Sequence, residues 1–415
     1  MADQPHAPPR NLLAYSQFNP VYRDDPHPML DEVRANCPVM RDETGGSFFI
    51  SKYADVRAIV SDLTMWRDPL NAEEAAVFAR AVRQQRVEGL TRDENVTSIL
   101  LLDDPDHARI RKPLAQALYA RVAKSRGAVE RVVDETLDAI GDAQEFDLVA
   151  RFALPIPIDV IAAILGVDHD RLVEFRDWSE GVIQSLNPVR SEAETAHLVR
   201  AGNALNEYMH ALMAERRKRP ADDLVSDMVR LQADGAQISD AELAVNLSAL
   251  LVGGNLTTTD LIGNSVYTLL KNPAELAKLK ADPKLIGPAV EEMLRFEPPV
   301  DITARVASRD MEVQGCPVRE RQAMVFSLRG ANRDPDAYDD PHAFNITRAP
   351  KPHMAFGGGA HICIGAPLAR QETQVALLKL FARFPDLKLA DPAMQPRWRT
   401  LPFFRGMEAM PVRVS

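Results

Sequence analysis

The chain has 415 residues, of which 46% are hydrophobic and 26% charged, a composition that buries a large core and excludes disorder for most of its length. Its formal net charge of −10 opposes nucleic acid and anionic membrane surfaces as main partners. Three cysteines, Cys37, Cys316 and Cys363, are too few and odd in number for a disulfide framework.

The opening MADQPHAPPR lacks the charged and apolar regions of a secretory signal, and no stretch approaches about eighteen consecutive apolar residues. The expectation is a cytoplasmic protein with residues 1–10 as a flexible tail. No linker, charge block or repeat divides the chain, so 1–415 reads as a single domain. Apolar residues recur at helical spacing through 29–33 and 56–60, while 47–51 reads as a strand in a small hairpin. From residue 104 to about 272 nearly everything is helical in pattern, with stops at Gly166, Pro188 and Pro220. The fold class is mainly α with small β-sheets.

One helix stands out. Ser239 is a good N-cap with Glu242 three residues on, and the pattern runs to about Lys271 before Pro273. That is roughly 50 Å at the α-helical rise, enough to cross a domain. Its middle contains Gly253 and Gly254 followed by Thr257, Thr258 and Thr259. Glycines at about 1 kcal/mol each and a run of β-branched residues build a helix interior poorly, and such local conflict marks a functional site.

A helix through Glu292 follows, then strand-like segments at 305–307 and 324–328. A Pro- and Asp-rich meander covers 332–352, and structureless loops of that length are usually functional. The chain then reads Phe356-Gly-Gly-Gly-Ala-His-Ile-Cys-Ile-Gly365, continues as an amphipathic helix to Pro385 and ends in a β tail at 411–414.

Cys363 opens that last helix, whose N-terminal dipole and free N–H groups favour a thiolate. Gly357, Gly358 and Gly359 are expected to give the loop positive φ, and Gly365 lets a flat ligand approach the backbone. Phe356 would shield the sulfur. The spacing of Phe356, Gly359, Cys363 and Gly365 resembles the Phe-x-x-Gly-x-x-x-Cys-x-Gly signature of the cytochrome P-450 family, bacterial soluble class. The resemblance implies the cytochrome P-450 fold, with haem b (iron protoporphyrin IX) between the long central helix and the Cys-loop helix and Cys363 as the axial iron ligand.

Other positions match the family in order. Glu292 and Arg295 share a helical face and resemble its Glu-x-x-Arg clamp, with Arg348 as third member. His107 and Arg111 resemble its His-x-x-x-Arg pattern on a propionate, joined by Arg305 and His361. The segment around Gly253 and Gly254 aligns with the family's distorted oxygen-activating stretch. Thr257 is the implied hydroxyl that stabilises reduced oxygen and relays a proton. The acid usual before that threonine is Leu256 here. Asp260, one turn on along the same face, is the expected substitute through water, with Asn255 and Thr258 nearby.

The activity implied is monooxygenation: one oxygen atom from dioxygen enters a small to medium apolar substrate, with electrons from a ferredoxin and an NAD(P)H-driven ferredoxin reductase. Arg109 and Lys112 are candidates for the ferredoxin docking patch. Family positions imply a substrate pocket at Ile99, Ala249, Val252, Gly253, Ile302, Thr303 and Phe403, with 71–95 as a lid. A monomer is expected. Two other readings stay open. One is a peroxide-driven or non-hydroxylating haem-thiolate enzyme, to which the missing acid points, and the other is a haem gas sensor without turnover.

Overall fold

The computed structural model describes residues 10–44, 46–76, 79–80, 89–90 and 96–414. The tail expected at 1–10 lies outside them except for Arg10, whose guanidinium is 3.3 Å from Glu43. Much of the lid expected at 71–95 also lies outside the described residues.

Two helices, α1 (Pro20–Asp24) and α2 (His27–Asn36), precede strands β1 (Val39–Arg41) and β2 (Phe48–Ile50) and helix α3 (Tyr53–Val60). The helical region holds α4 (Asp106–Val122), α5 (Arg126–Ile140), α6 (Pro155–Leu165), α7 (Leu172–Val182), α8 (Glu192–Lys218), α9 (Leu224–Ala233) and α10 (Asp240–Lys271), with strand β3 (Glu145–Asp147) between α5 and α6. Next come α11 (Pro273–Ala281), α12 (Ile286–Phe296), β4 (Ile302–Val306), β5 (Met311–Val313), β6 (Cys316–Val318), β7 (Ala323–Ser327) and α13 (Leu328–Asn332). The last elements are α14 (Ala366–Arg383), β8 (Lys388–Leu389) and β9 (Pro411–Arg413).

Local sequence accounts for the main boundaries. Gly166 ends α6 at φ 85°, a conformation glycine adopts without strain. Ser239 and Glu242 form the reciprocal capping box of α10, and Pro273 occupies the first turn of α11, where its missing N–H is no loss. α10 buries side chains around most of its circumference, as a helix through the centre of a core must. It packs against α6, α8 and α14.

Despite its glycines, α10 runs as one helix over its 32 residues. The threonine hydroxyls return into the helix: Thr257 donates to the Gly253 carbonyl at 2.7 Å and Thr259 to that of Asn255 at 3.0 Å. Each thus satisfies its donor without breaking the ladder.

A four-stranded sheet in the order β1-β2-β7-β4 stands beside the helices, antiparallel except for the β2–β7 pair. A second sheet, β3-β9-β8, joins the chain's end to its middle. The largest apolar cluster fills the helical region and includes Ile99, Val252 and Phe404. Another lies between α3, the sheet and the meander and holds Tyr53, Phe326, Tyr338 and Met354. A third ties the N-terminal segment to the sheet through Leu12, Tyr15, Phe49 and Val325.

Candidate functional site

The meander is fixed by α12. Arg295 and Glu292 meet as a two-pronged pair, Nε–Oε2 and Nη2–Oε1 both at 2.7 Å, with the side chains 2% and 4% exposed. Arg348 adds a 3.2 Å contact to Glu292. The remaining donors grip backbone: Arg295 reaches the carbonyls of Asn332, Pro341 and Ala343, and Arg348 those of Asp340 and Ala343. A buried ion pair is stable only when its leftover valences are filled, and here the loop fills them.

That loop delivers the cysteine. The Cys363 N–H closes onto the Phe356 carbonyl at 3.0 Å, and Arg370 lies 4.6 Å over the Phe356 ring. Gly357 and Gly359 take positive φ, 67° and 65°. The third expectation fails, since Gly358 is extended at φ −169°. A Cβ there would come 2.9 Å from the Ser61 Oγ, a contact that turning that hydroxyl can relieve. Cys363 is exposed, yet it sits deep enough that desolvation dominates its thiol and pushes it up. The sulfur is thus reachable from solvent while hemmed in by protein. The N–H groups of Gly365 and Ala366, then Arg111 and Arg370, oppose that shift and favour the thiolate.

A cluster of basic side chains lies alongside. His107 and His361 stack with centroids 4.1 Å apart. Arg111 donates to the Ile362 carbonyl, and Arg305 to those of Val60 at 2.8 Å and Gly358 at 3.2 Å. Burial and the surrounding cations push His361 down to about 2. Burial, helped by neighbouring Arg67, lowers Arg305 to about 9. Arg67, which sequence reasoning missed, donates to Leu100 and Ala304 carbonyls.

Haem fits this arrangement. The Nε2 of buried His107 has no protein partner among the described residues, while its Nδ1 lies 3.4 Å from Asp104. Concentrated cations whose charge is strained by burial call for anions, and haem carries two carboxylates. Gly365 points the same way. Its φ of −83° suits any residue, and a Cβ there would touch nothing closer than the Cys363 sulfur at 3.9 Å. The protein itself therefore does not require glycine at 365, whereas a flat group bound on the sulfur would.

Above the helical region, the open position on α10 is Gly253, where a Cβ would meet nothing within 4 Å. Gly254 instead packs on Ile161 of α6, at 3.4 Å from such a Cβ. Leu256 and Thr257 are half-buried. Asp260 departs from expectation. It is 3% exposed and is paired with Arg399, against Gly406. Its carboxyl, pushed up to about 6 by desolvation against the pull of Arg399, meets the C-terminal segment through Oδ1, while Oδ2 has no partner among the described residues.

The substrate positions divide. The Ile99 N–H donates to Asn246 of α10 at 2.9 Å, which holds it beside the turn carrying Ala249, Val252 and Gly253. Thr303 shares its strand face with Arg305. Ile302 and Phe403 do not join them, because both pack in the N-terminal cluster with Leu12 and Tyr15. The alternation of β4 turns Ile302 away. Phe404 instead belongs to the cluster of Ile99 and Val252 and is bridged to Val300. Arg109, expected to be free for docking, is paired with Asp106 and Glu242 at 2.8 and 2.6 Å.

The family profile described as Cytochrome P-450 matches residues 32–398. The chain belongs to the cytochrome P-450 family. It is similar to Cytochrome P-450 107B1 of Saccharopolyspora erythraea, 36% identical over 408 residues, covering 97% of this chain and 98% of that protein. It is also similar to the nocardicin C N-oxygenase of Nocardia uniformis subsp. tsuyamanensis, 38% identical over 396 residues with 94% and 95% covered. Among solved structures, the myxobacterial cytochrome P-450 CYP267B1 in complex with myristic acid matches with a TM-score of 0.86 and 32% identity, covering 96% of this chain and 98% of that one. This cytochrome P-450 is a haem b monooxygenase. Among the described residues no helix is long and apolar enough to cross a membrane.

Proposed function

We propose that Cys363 is the axial thiolate of the haem iron, that His107, Arg111, Arg305 and His361 receive the propionates, and that the enzyme oxygenates a small to medium apolar substrate with electrons from a ferredoxin and its reductase. The observation that carries this reading is an exposed Cys363 two residues ahead of the N-cap of α14, beside Arg111 and Arg305, neither of which has a carboxylate within ion-pair distance among the described residues. Bound haem supplies the activation of dioxygen by two electrons, with one oxygen atom going to substrate and the other leaving as water.

The protein's own part is holding and proton handling. The N–H groups of Gly365 and Ala366 stabilise negative charge on Cys363, and Phe356 keeps water from one side of it. Thr257 spends its proton on the Gly253 carbonyl, which leaves its lone pairs to hold a water at the open face of α10. Leu256 can hold or deliver no proton, so protons are drawn from solvent along that face. Ile99, Ala249, Val252 and Gly253 offer an apolar wall for the substrate, and the myristic acid of the related complex is a ligand of that character.

The test is spectroscopic and kinetic. Reduced protein under carbon monoxide should show the red-shifted Soret band of thiolate ligation, which Cys363→Ser abolishes. Turnover of a substrate found by its spin-state shift should proceed with a ferredoxin system. Efficient turnover with hydrogen peroxide and none with reduced ferredoxin would replace the electron-transfer reading with the peroxide-driven one.

A further inference from the structure

Arg67 stands in a loop far from any position that the family signature marks, yet its guanidinium meets that of Arg305. The Nη1 atoms of both donate to a single acceptor, the Ala304 carbonyl, each at 2.8 Å. Two like charges are thereby held side by side. Arg67 also reaches the Leu100 carbonyl at 3.0 Å, and Arg305 those of Val60 and Gly358. Among the described residues neither has a carboxylate within ion-pair distance. Asp103 is the nearby acid, and its oxygens are taken by the N–H groups of Arg67 and Asp68 and by the Asn71 amide, at 2.5, 3.1 and 3.0 Å. Burial, only partly offset by Asp103, pushes Arg67 down to about 10, and the presence of Arg67 helps bring Arg305 down.

Carbonyl oxygens orient a guanidinium but carry only partial charge, so paired arginines sharing one carbonyl need an anion to complete them. We propose that Arg67 and Arg305 form a twin-guanidinium carboxylate site whose occupant is a haem propionate, with Arg67 as a further cofactor-binding residue. This rests on the haem reading above. The same chemistry would suit the carboxylate of a substrate, and the two sources separate experimentally.

Haem-free protein is reconstituted with iron protoporphyrin IX or with its dimethyl ester, and transfer of ferric haem to excess apomyoglobin is timed. Arg67→Gln should release the natural haem about tenfold faster than wild type, a factor equivalent to one charge-assisted hydrogen bond, with Arg67→Lys between. With the dimethyl ester the same substitution should change the rate by less than about twofold. A wild-type rate in Arg67→Gln, or an equal effect with both porphyrins, overturns the inference. In the second arm, spin-state titrations with myristate and methyl myristate should give an unchanged affinity ratio in Arg67→Gln. Loss of the myristate preference with unaltered haem release would move the carboxylate to the substrate and overturn the propionate assignment. Should Arg67→Gln fail to fold, the Arg67→Lys comparison decides with smaller amplitude. A normal thiolate spectrum with no Arg67 effect removes this inference alone, while a wild type without that spectrum removes the haem reading.

Discussion

Gly359 and Gly365 lie in one loop but are required by different neighbours. At 359 the φ of 65° already disfavours a side chain, and a Cβ would come 2.8 Å from the Val60 carbonyl. Gly359→Ala should therefore destabilise even haem-free protein by about 1–3 kcal/mol in urea unfolding. Gly365→Ala meets neither obstacle, so haem-free stability should hold within about 0.5 kcal/mol while haem release to apomyoglobin accelerates. Asp260 makes a second residue-scale case. Its folded value, about 6 against 3.8 in the unfolded chain, means that the native state binds an extra proton between these limits. Stability from this group is then greatest below pH 3.8, falls as pH rises and reaches its lowest level above about 6. Asp260→Asn should flatten that slope in unfolding curves taken across the window. Product coupling and its solvent isotope effect should stay at wild-type values, and a change in either would restore Asp260 to the proton route.

At the scale of elements, α12 and the meander form one unit. Removing one partner of the Glu292–Arg295 pair strands a charge that is almost wholly enclosed. Arg295→Ala should cost about 3–5 kcal/mol, read by urea unfolding, and limited proteolysis should now cut within residues 333–352. The elements themselves were largely legible, because capping box, glycine stop and helical apolar spacing are local signals. α10 was foreseen from Ser239 to Lys271 on those grounds. What periodicity could not supply was orientation. Helical spacing put Asp260 on the face of Leu256, but Arg399 arrives from a segment 139 residues away and claims its carboxylate. Ile302 departs from expectation because a strand alternates every residue, so of the two adjacent positions only Thr303 shares the face of Arg305. Arg67 carries no signal at all in the sequence, since its meaning comes only from sharing the Ala304 carbonyl.

For the whole molecule, charge distribution governs what docks. The net charge of −10 would repel the acidic ferredoxin proposed as electron donor at long range, so that proposal requires a local patch. Arg109 cannot supply it, its charge being matched by Asp106 and Glu242, whereas Lys112 on the same helix is exposed. Lys112→Ala should make the ferredoxin reduction rate slower and less dependent on ionic strength, and Arg109→Gln should leave the salt slope as it is. Equal slopes for wild type and Lys112→Ala in stopped-flow reduction would remove this helix from the docking face. The cysteine loop was readable because metal ligation tolerates few arrangements of residue types. A protein–protein surface tolerates many, so exposure and pairing had to come from the structure.

Arg295 and Arg348 hold the meander by its carbonyl oxygens, including that of Pro341. Every amino acid carries that oxygen, proline among them, so at Pro341 and Ala343 the grip does not depend on the letter that spells the position. Tyr338, Phe344 and Ile346 are the opposite case, since their buried side chains tie the same segment to the core.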